Sequence, residues 1–190
     1  MKKILILSAS PVKNGNTSLL VEWFSQGAQG KGAVLDVVDV AALKFKVSGC
    51  TSCRRCQALK TYECVIADEG QAVLRKMAQA DVIVMATPLY FYGPSAQLKV
   101  IMDRMFCLYK WDNKTDTMTT VLKDKKLLLI ASAYEDIGLD AVEKPFALTA
   151  QYTGIPFESY LVPDAGESGD LKGNTSVRDQ AVAFGRKAAG

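Results

Sequence analysis

The sequence contains no histidine. That absence removes serine–histidine and cysteine–histidine nucleophilic chemistry, and with them every histidine-ligated metal site. Basic residues are scattered: 23 Lys and Arg against 20 Asp and Glu leave a net charge of only +3. No block of them marks a nucleic-acid or membrane surface. No apolar run approaches the ~18 residues that a membrane-spanning helix needs. Met1-Lys2-Lys3 before Ile4–Leu7 imitates a signal peptide, but the apolar stretch is short and ends in Ser8 and Pro11. The chain therefore reads as cytoplasmic. Neither common phosphate-loop motif, G-x-x-x-x-G-K-[ST] or G-x-G-x-x-G, is present. No repeat, linker or low-complexity tract divides the 190 residues, which read as one domain, 1–190, large enough to bury a core.

What is present is an alternation of apolar runs and amphipathic stretches. Ile4–Leu7 suits a strand covered on both faces. After a loop of small and hydroxylated residues, Leu20, Trp23, Phe24 and Gly27 share one helix face. Val34–Val40 is a second strand with an exposed edge. Asp68 and Gln71 are spaced as a capping box opening a helix on Gly70, Val73, Leu74 and Met77. Asp81–Thr87 carries the strongest buried-strand signal. A long helix begins near Pro94, with Leu98, Ile101, Met102, Met105, Leu108 and Tyr109 on one stripe. Lys110–Asp124 is polar and reads as a lid-like excursion. Leu127–Ala131 is a further strand. Leu139–Thr153 is helical, with Pro145 predicting a late start or a break and Gly154 a stop. Phe157–Val162 and Thr175–Ala189 close the chain as strand and helix.

Five strand–helix alternations predict a parallel sheet with helices on both faces. For strand order 2-1-3-4-5, ligands sit at the carboxyl ends of strands one and three, where the order reverses. Two loops fall there. Ser8-Ala9-Ser10-Pro11 with Asn16-Thr17-Ser18 offers hydroxyls and amides at the start of a helix, an anion site. The same residues also suit a plain N-cap, by Asn16 or Thr17, after an Asn-Gly turn. Thr87-Pro88-Leu89-Tyr90-Phe91-Tyr92-Gly93 is aromatic and ends in a glycine, which permits close backbone approach to a flat ring. Such a loop also suits simple burial beneath the long helix.

The two loops, with Gln97-Leu98-Lys99 and Asp103-Arg104, resemble the NAD(P)H-dependent FMN reductase branch of the flavodoxin-like superfamily, over essentially the whole chain. The resemblance implies a three-layer α/β sandwich with a five-stranded parallel sheet of order 2-1-3-4-5. It implies that Ser8, Ser10, Asn16, Thr17 and Ser18 hold the FMN phosphate. Pro88, Leu89, Tyr90, Phe91, Tyr92 and Gly93 would hold the isoalloxazine, with backbone amides donating to its N1, O2 and N5. Ser132, Ala133 and Tyr134 form a third loop without a clear motif.

Four of the five cysteines, Cys50, Cys53, Cys56 and Cys64, read C-x2-C-x2-C-x7-C. Bacterial ferredoxins use the same C-x2-C-x2-C run. The pattern resembles the iron–sulfur flavoproteins of this family, which carry it between strand two and the next helix. It thus implies a 4Fe–4S cluster. A four-thiolate zinc site, disulfides and empty thiols are the alternatives. Arg54, Arg55 and Lys60 lie among these cysteines, and Cys107 falls on the long helix as a core or surface thiol.

The expected activity is FMN-dependent oxidoreduction, with electrons taken from NAD(P)H or a carrier and passed to a small-molecule or protein acceptor. No catalytic side chain is required, because the flavin does the chemistry. A non-enzymatic flavodoxin-like carrier and a metal- or redox-sensing module are the other readings. The apolar stripe of the long helix and the family resemblance predict a homodimer or an assembly of dimers. Neither nucleic acid nor membrane is expected as a partner.

Overall fold

Ile4, Leu5, Ile6 and Leu7 are all at most 2% exposed, so both faces of the first strand are covered. That burial organises the fold of this computed structural model, which describes residues 1–190. The elements are β1 (Lys3–Ser8), α1 (Asn16–Gln29), β2 (Val34–Asp39), α2 (Arg55–Ala58), α3 (Glu69–Gln79), β3 (Val82–Pro88) and α4 (Ala96–Arg104). There follow β4 (Tyr109–Asp112), β5 (Thr117–Thr120), β6 (Lys126–Ser132), α5 (Leu139–Thr153), β7 (Phe157–Val162) and α6 (Thr175–Ala189). The sheet runs β2-β1-β3-β6-β7 and every pairing is parallel. This is the expected 2-1-3-4-5 order, with an antiparallel β4–β5 hairpin inserted before the fourth sheet strand. The fold is a flavodoxin-like α/β sandwich.

Side chains alternate across the strands, and the two periodicities divide the core. Leu5, Leu7, Ile83, Met85, Leu127 and Leu129 face one way, onto α3, α4 and α5. Ile4, Ile6, Val82, Val84, Leu128 and Ile130 face the other, onto α1 and α6. On that second face α1 and α6 cross with backbones in contact. A Cβ on Gly27 would lie 2.0 Å from the Val182 carbonyl oxygen, and one on Gly185 2.0 Å from that of Phe24. No helix is long and apolar enough to cross a membrane.

Several local expectations change. Pro145 neither delays nor breaks α5, which runs unbroken from Leu139 to Thr153. Pro145 removes one hydrogen bond from the ladder, but Val142, Phe146 and Ala150 are buried around it and hold the axis. Gly154, at φ 69°, stops the helix as expected. The 110–124 excursion is largely the β4–β5 hairpin, in which Lys110 pairs with Thr119 and Trp111 with Met118. The long helix ends at Arg104 and tightens into a 3-10 turn, Met105–Leu108. Asp68 caps α3, accepting from the Gln71 amide at 3.0 Å. The Gln71 side chain does not return the bond; it donates to the Cys64 carbonyl oxygen at 2.6 Å.

Candidate functional site

At the carboxyl ends of β1 and β3, where the chain turns to opposite sides of the sheet, lies a crevice of about 250 Å³. Ser10, Gly15, Asn16 and Thr17 line it after β1, Pro88 to Tyr90 after β3, and Ser132 to Tyr134 after β6. The fourth wall, Ala165 to Ser168 after β7, was not expected from sequence. Its signal was the Gly166-Glu167-Ser168-Gly169 run, whose glycines take left-handed φ of 64° and 93°. An aromatic shelf adjoins the crevice, formed by Leu89, Phe91, Tyr92, Tyr134 and Ile137.

The N-terminus of α1 points into this space. Its N-cap is Gly15, which provides no side-chain cap, so neither Asn16 nor Thr17 plays the capping role. The first-turn amides have no acceptor within the helix. The helix end carries roughly half a positive charge, suited to a phosphate. No lysine or arginine lines the crevice; the one charged side chain is that of Glu167. A phosphate here would rest on amides and hydroxyls.

The Asn16 side chain is already spent. Its Nδ2 donates to the carbonyl oxygens of Ala165 (2.8 Å) and Glu167 (2.9 Å). Its Oδ1 accepts from the amides of Gly169 (3.0 Å) and Leu171 (3.3 Å). Two carbonyl partners and two N–H partners settle the amide's orientation. The Asn16 side chain thus builds the wall of the crevice that the residue lines. Thr17 is buried and lines the crevice, and Ser10 lines it with its hydroxyl bonded to the Val12 amide at 3.2 Å. Ser8 and Ser18 are half-buried and do not line it.

The aromatic loop is a tight turn. Tyr90 and Gly93 exchange backbone bonds of 2.9 and 3.0 Å, and Phe91 and Tyr92 between them take φ of 46° and 64°. Left-handed φ costs a residue bearing a Cβ about 1–2 kcal/mol. Both rings are exposed, Phe91 completely, so burial beneath α4 is not their role. The turn occupies the amides of Tyr90 and Gly93, and β6 takes that of Leu89. The amides of Phe91 and Tyr92 are the ones left for a ligand. Nothing in the chain requires glycine at 93: a Cβ there would meet only the Tyr90 carbonyl oxygen at 3.9 Å. The space beside Gly93 is open. Free amides at α1, an aromatic turn and an open glycine between them fit a ring bearing a monophosphate, as in FMN.

The cysteine loop lies between β2 and α3. Cys50 and Cys53 are exposed, Cys56 is buried and Cys64 half-buried, all with free thiols. All four line one cleft with Arg104 and Cys107, although no three ligating side chains converge as they do around a metal ion. Arg104 is 1% exposed. It grips Asp68 with two hydrogen bonds of 2.8 and 2.9 Å, and its Nη2 reaches the Ile66 carbonyl oxygen at 3.1 Å and the Cys64 Sγ at 3.6 Å. Burial alone would raise the Asp68 carboxyl, but the Arg104 guanidinium and the amides of Lys46 and Gln71 hold it below the usual carboxylate range. Burial pushes the Cys107 thiol up to about 12, leaving it an inert packing group. The Arg104 Nε is buried without a hydrogen-bond partner. Such an orphan costs about 1–3 kcal/mol. Four thiols and a spare N–H donor around one cleft fit a sulfur-ligated group.

The sheet, with a phosphate-suited helix end and an aromatic turn at its switch point, defines the class of flavodoxin-like α/β proteins. Within it, the chain belongs to the NADPH-dependent FMN reductase family, whose model matches residues 2–156. It is 35% identical over 102 residues to an iron–sulfur flavoprotein of Methanocaldococcus jannaschii, covering 54% of this chain and 51% of that one. The chain thus spans about half the length of the iron–sulfur flavoproteins it matches. Among solved structures, an NAD(P)H:quinone oxidoreductase from Methanothermobacter marburgensis superposes with TM-score 0.70 at 17% identity, covering 99% of this chain and 97% of that one. An FMN-dependent NADH-azoreductase of Bacillus anthracis in complex with FMN gives 0.68 at 16% identity, covering 100% and 98%. At these identities the structural likeness concerns the fold.

Proposed function

We propose that residues 1–190 form one FMN-binding domain of an oxidoreductase that takes electrons from NAD(P)H, or from a carrier, and passes them to a small-molecule or protein acceptor. The carrying observation is the meeting, at one switch point, of unpartnered α1 amides with an aromatic turn that has open space beside Gly93. The α1 amides, Ser10 and Thr17 hold the phosphate. Asn16 acts one step back, fixing the 165–171 wall. The amides of Phe91 and Tyr92 and the rings of Tyr90, Tyr92 and Tyr134 orient the flat group and shield it from water. Bound FMN supplies the hydride and electron transfer, which needs no acid or base from the protein.

The reading extends to the cysteine loop. Cys50, Cys53, Cys56 and Cys64 hold a 4Fe–4S cluster, which supplies one-electron exchange. Supporting it are the C-x2-C-x2-C-x7-C spacing, the shared cleft and the name borne by relatives such as the M. jannaschii protein. The working form is a homodimer or an assembly of dimers in the cytoplasm, where reduced thiols persist.

The test is anaerobic purification followed by acid extraction, with iron and sulfide counted after reconstitution. FMN should be released, and recovery of FAD or of no flavin overturns the reading. Turnover of a small quinone with NAD(P)H alone marks the enzyme, whereas FMN without such turnover marks a carrier. Zinc, or no metal after reconstitution, removes the cluster and leaves the flavin.

A further inference from the structure

The seven-residue gap before Cys64 sets that ligand apart. Cys50, Cys53 and Cys56 follow at intervals of three along one loop that carries only the single turn of α2. Cys64 must instead be delivered by tertiary structure, and two contacts do so. The Gln71 side-chain Nε2 donates to its carbonyl oxygen at 2.6 Å, and Arg104 Nη2 stands 3.6 Å from its sulfur.

Arg104 is itself fixed to an unusual degree. Its side chain is 0% exposed and that of Asp68 2%. Asp68 also accepts from the amides of Lys46 (3.0 Å) and Gln71 (3.0 Å), so the carboxylate is locked to the start of α3 and to the strand-two side of the loop. The fork leaves no slack. A Cβ on Gly70 would come within 2.5 Å of Arg104 Nη1, so glycine is what lets the guanidinium lie flat over α3. With both Nη atoms committed to Asp68, the Nε–H has no acceptor in the chain. Asp68 balances the charge of Arg104, but a guanidinium with a spare buried N–H, on a residue lining a cleft of thiols, still lacks one acceptor. The sulfurs of a thiolate-ligated cluster accept N–H bonds and would supply that acceptor. A guanidinium suits this better than an ammonium, because its plane serves Asp68 and sulfur at once.

From this geometry we infer that Arg104 is the positioning residue of the sulfur site: it seats Cys64 as the fourth ligand and donates to the sulfur of the bound group. The inference rests on the cluster reading given above. Bound iron then depends on a residue that ligates no metal and lies outside the cysteine motif. Loss of an outer-shell partner of this kind typically costs about 10–100-fold in metal affinity.

The experiment compares wild type with Arg104→Lys and with the charge-neutral pair Asp68→Asn/Arg104→Gln, designed to leave no buried charge unpaired. Each is reconstituted anaerobically with iron and sulfide. FMN content and thermal melting report folding, iron release to a chelator reports the site, and the midpoint potential is followed by EPR. In variants that melt and hold FMN as wild type does, iron should leave about tenfold faster or more. The potential of whatever remains should move negative, as expected for a lost N–H···S bond. The lysine variant should lie between wild type and the neutral pair. If the neutral pair fails to fold, the lysine variant, which keeps the ion pair, decides the matter. Wild type that binds iron beside a folded variant with unchanged release and potential overturns the role of Arg104 and leaves the cluster standing. Wild type that binds no iron overturns both.

Discussion

Replacing Asn16 by alanine should unfold the wall of the crevice before it touches the ligand. The side chain makes four hydrogen bonds to the 165–171 segment, at 2.8, 2.9, 3.0 and 3.3 Å. Three are partly buried; the bond to the Glu167 carbonyl is exposed. At about 1 kcal/mol net for each partly buried bond and about half that for the exposed one, the sum is about 3.5 kcal/mol. Water entering the opened crevice recovers some of this, leaving about 2–3 kcal/mol. For a chain of this length that is a fall of about 4–12 °C in the melting temperature of the apoprotein. FMN affinity should fall as well, because the wall must be re-ordered on binding. Asn16→Asp should be no better: it keeps the acceptor for Gly169 and Leu171 but turns a carboxylate toward two carbonyl oxygens. Urea or thermal unfolding of the apoprotein, paired with an FMN titration, separates the two effects. An apoprotein of unchanged stability with weakened FMN binding would refute the reasoning and return Asn16 to direct contact with the phosphate.

Gly27→Ala should destabilise by about 3 kcal/mol, the upper end for overpacking, because the obstacle at 2.0 Å is the Val182 backbone, which cannot swing away; a change below about 1 kcal/mol in urea unfolding contradicts the helix crossing. Phe91→Gly should relieve the left-handed strain at φ 46° and raise apoprotein stability by about 1 kcal/mol, while flavin retention weakens; a less stable apoprotein would show that the exposed ring is structural. The Asp68 carboxyl is held below its unfolded value, so its stabilising effect is complete above that unfolded pKa, about 3.9, and is lost as pH falls through the lower folded value. Urea midpoints measured down through that acid range should therefore drop more steeply for wild type than for Asp68→Asn, and parallel curves would deny the coupling. The α4 stripe expected at a dimer interface is already internal, with Leu98, Ile101, Met105 and Leu108 at most 4% exposed in the single chain; sedimentation at micromolar concentration should still show a dimer or larger, built on another surface, and a monomer would refute the assembly.

Much of this was legible in sequence because it rests on short-range patterns. Ile4–Leu7 and Val82–Ala86 announce strands covered on both faces, and the order of elements predicts which strands meet. The same logic found the crevice, since a switch point follows from strand order alone. Lys110–Asp124 was less legible because the hairpin depends on cross-strand pairing, which leaves little trace in polar residues. Pro145 misled because a propensity rule was weighed without the burial of Val142, Phe146 and Ala150 around it.

The sequence by itself determined the architecture, the two loops facing the crevice and the cysteine spacing, each carried by residues close together in the chain. Only the tertiary structure decided what individual side chains do there. The Asn16 side chain, expected beside a phosphate, clasps a loop 149 to 155 residues away. Arg104, a helix residue within a family motif, becomes the buried partner of Asp68 and Cys64, 36 and 40 positions distant. The reason is physical: a hydrogen-bonding side chain is silent about its partner until folding brings that partner near and excludes the water that would otherwise satisfy both.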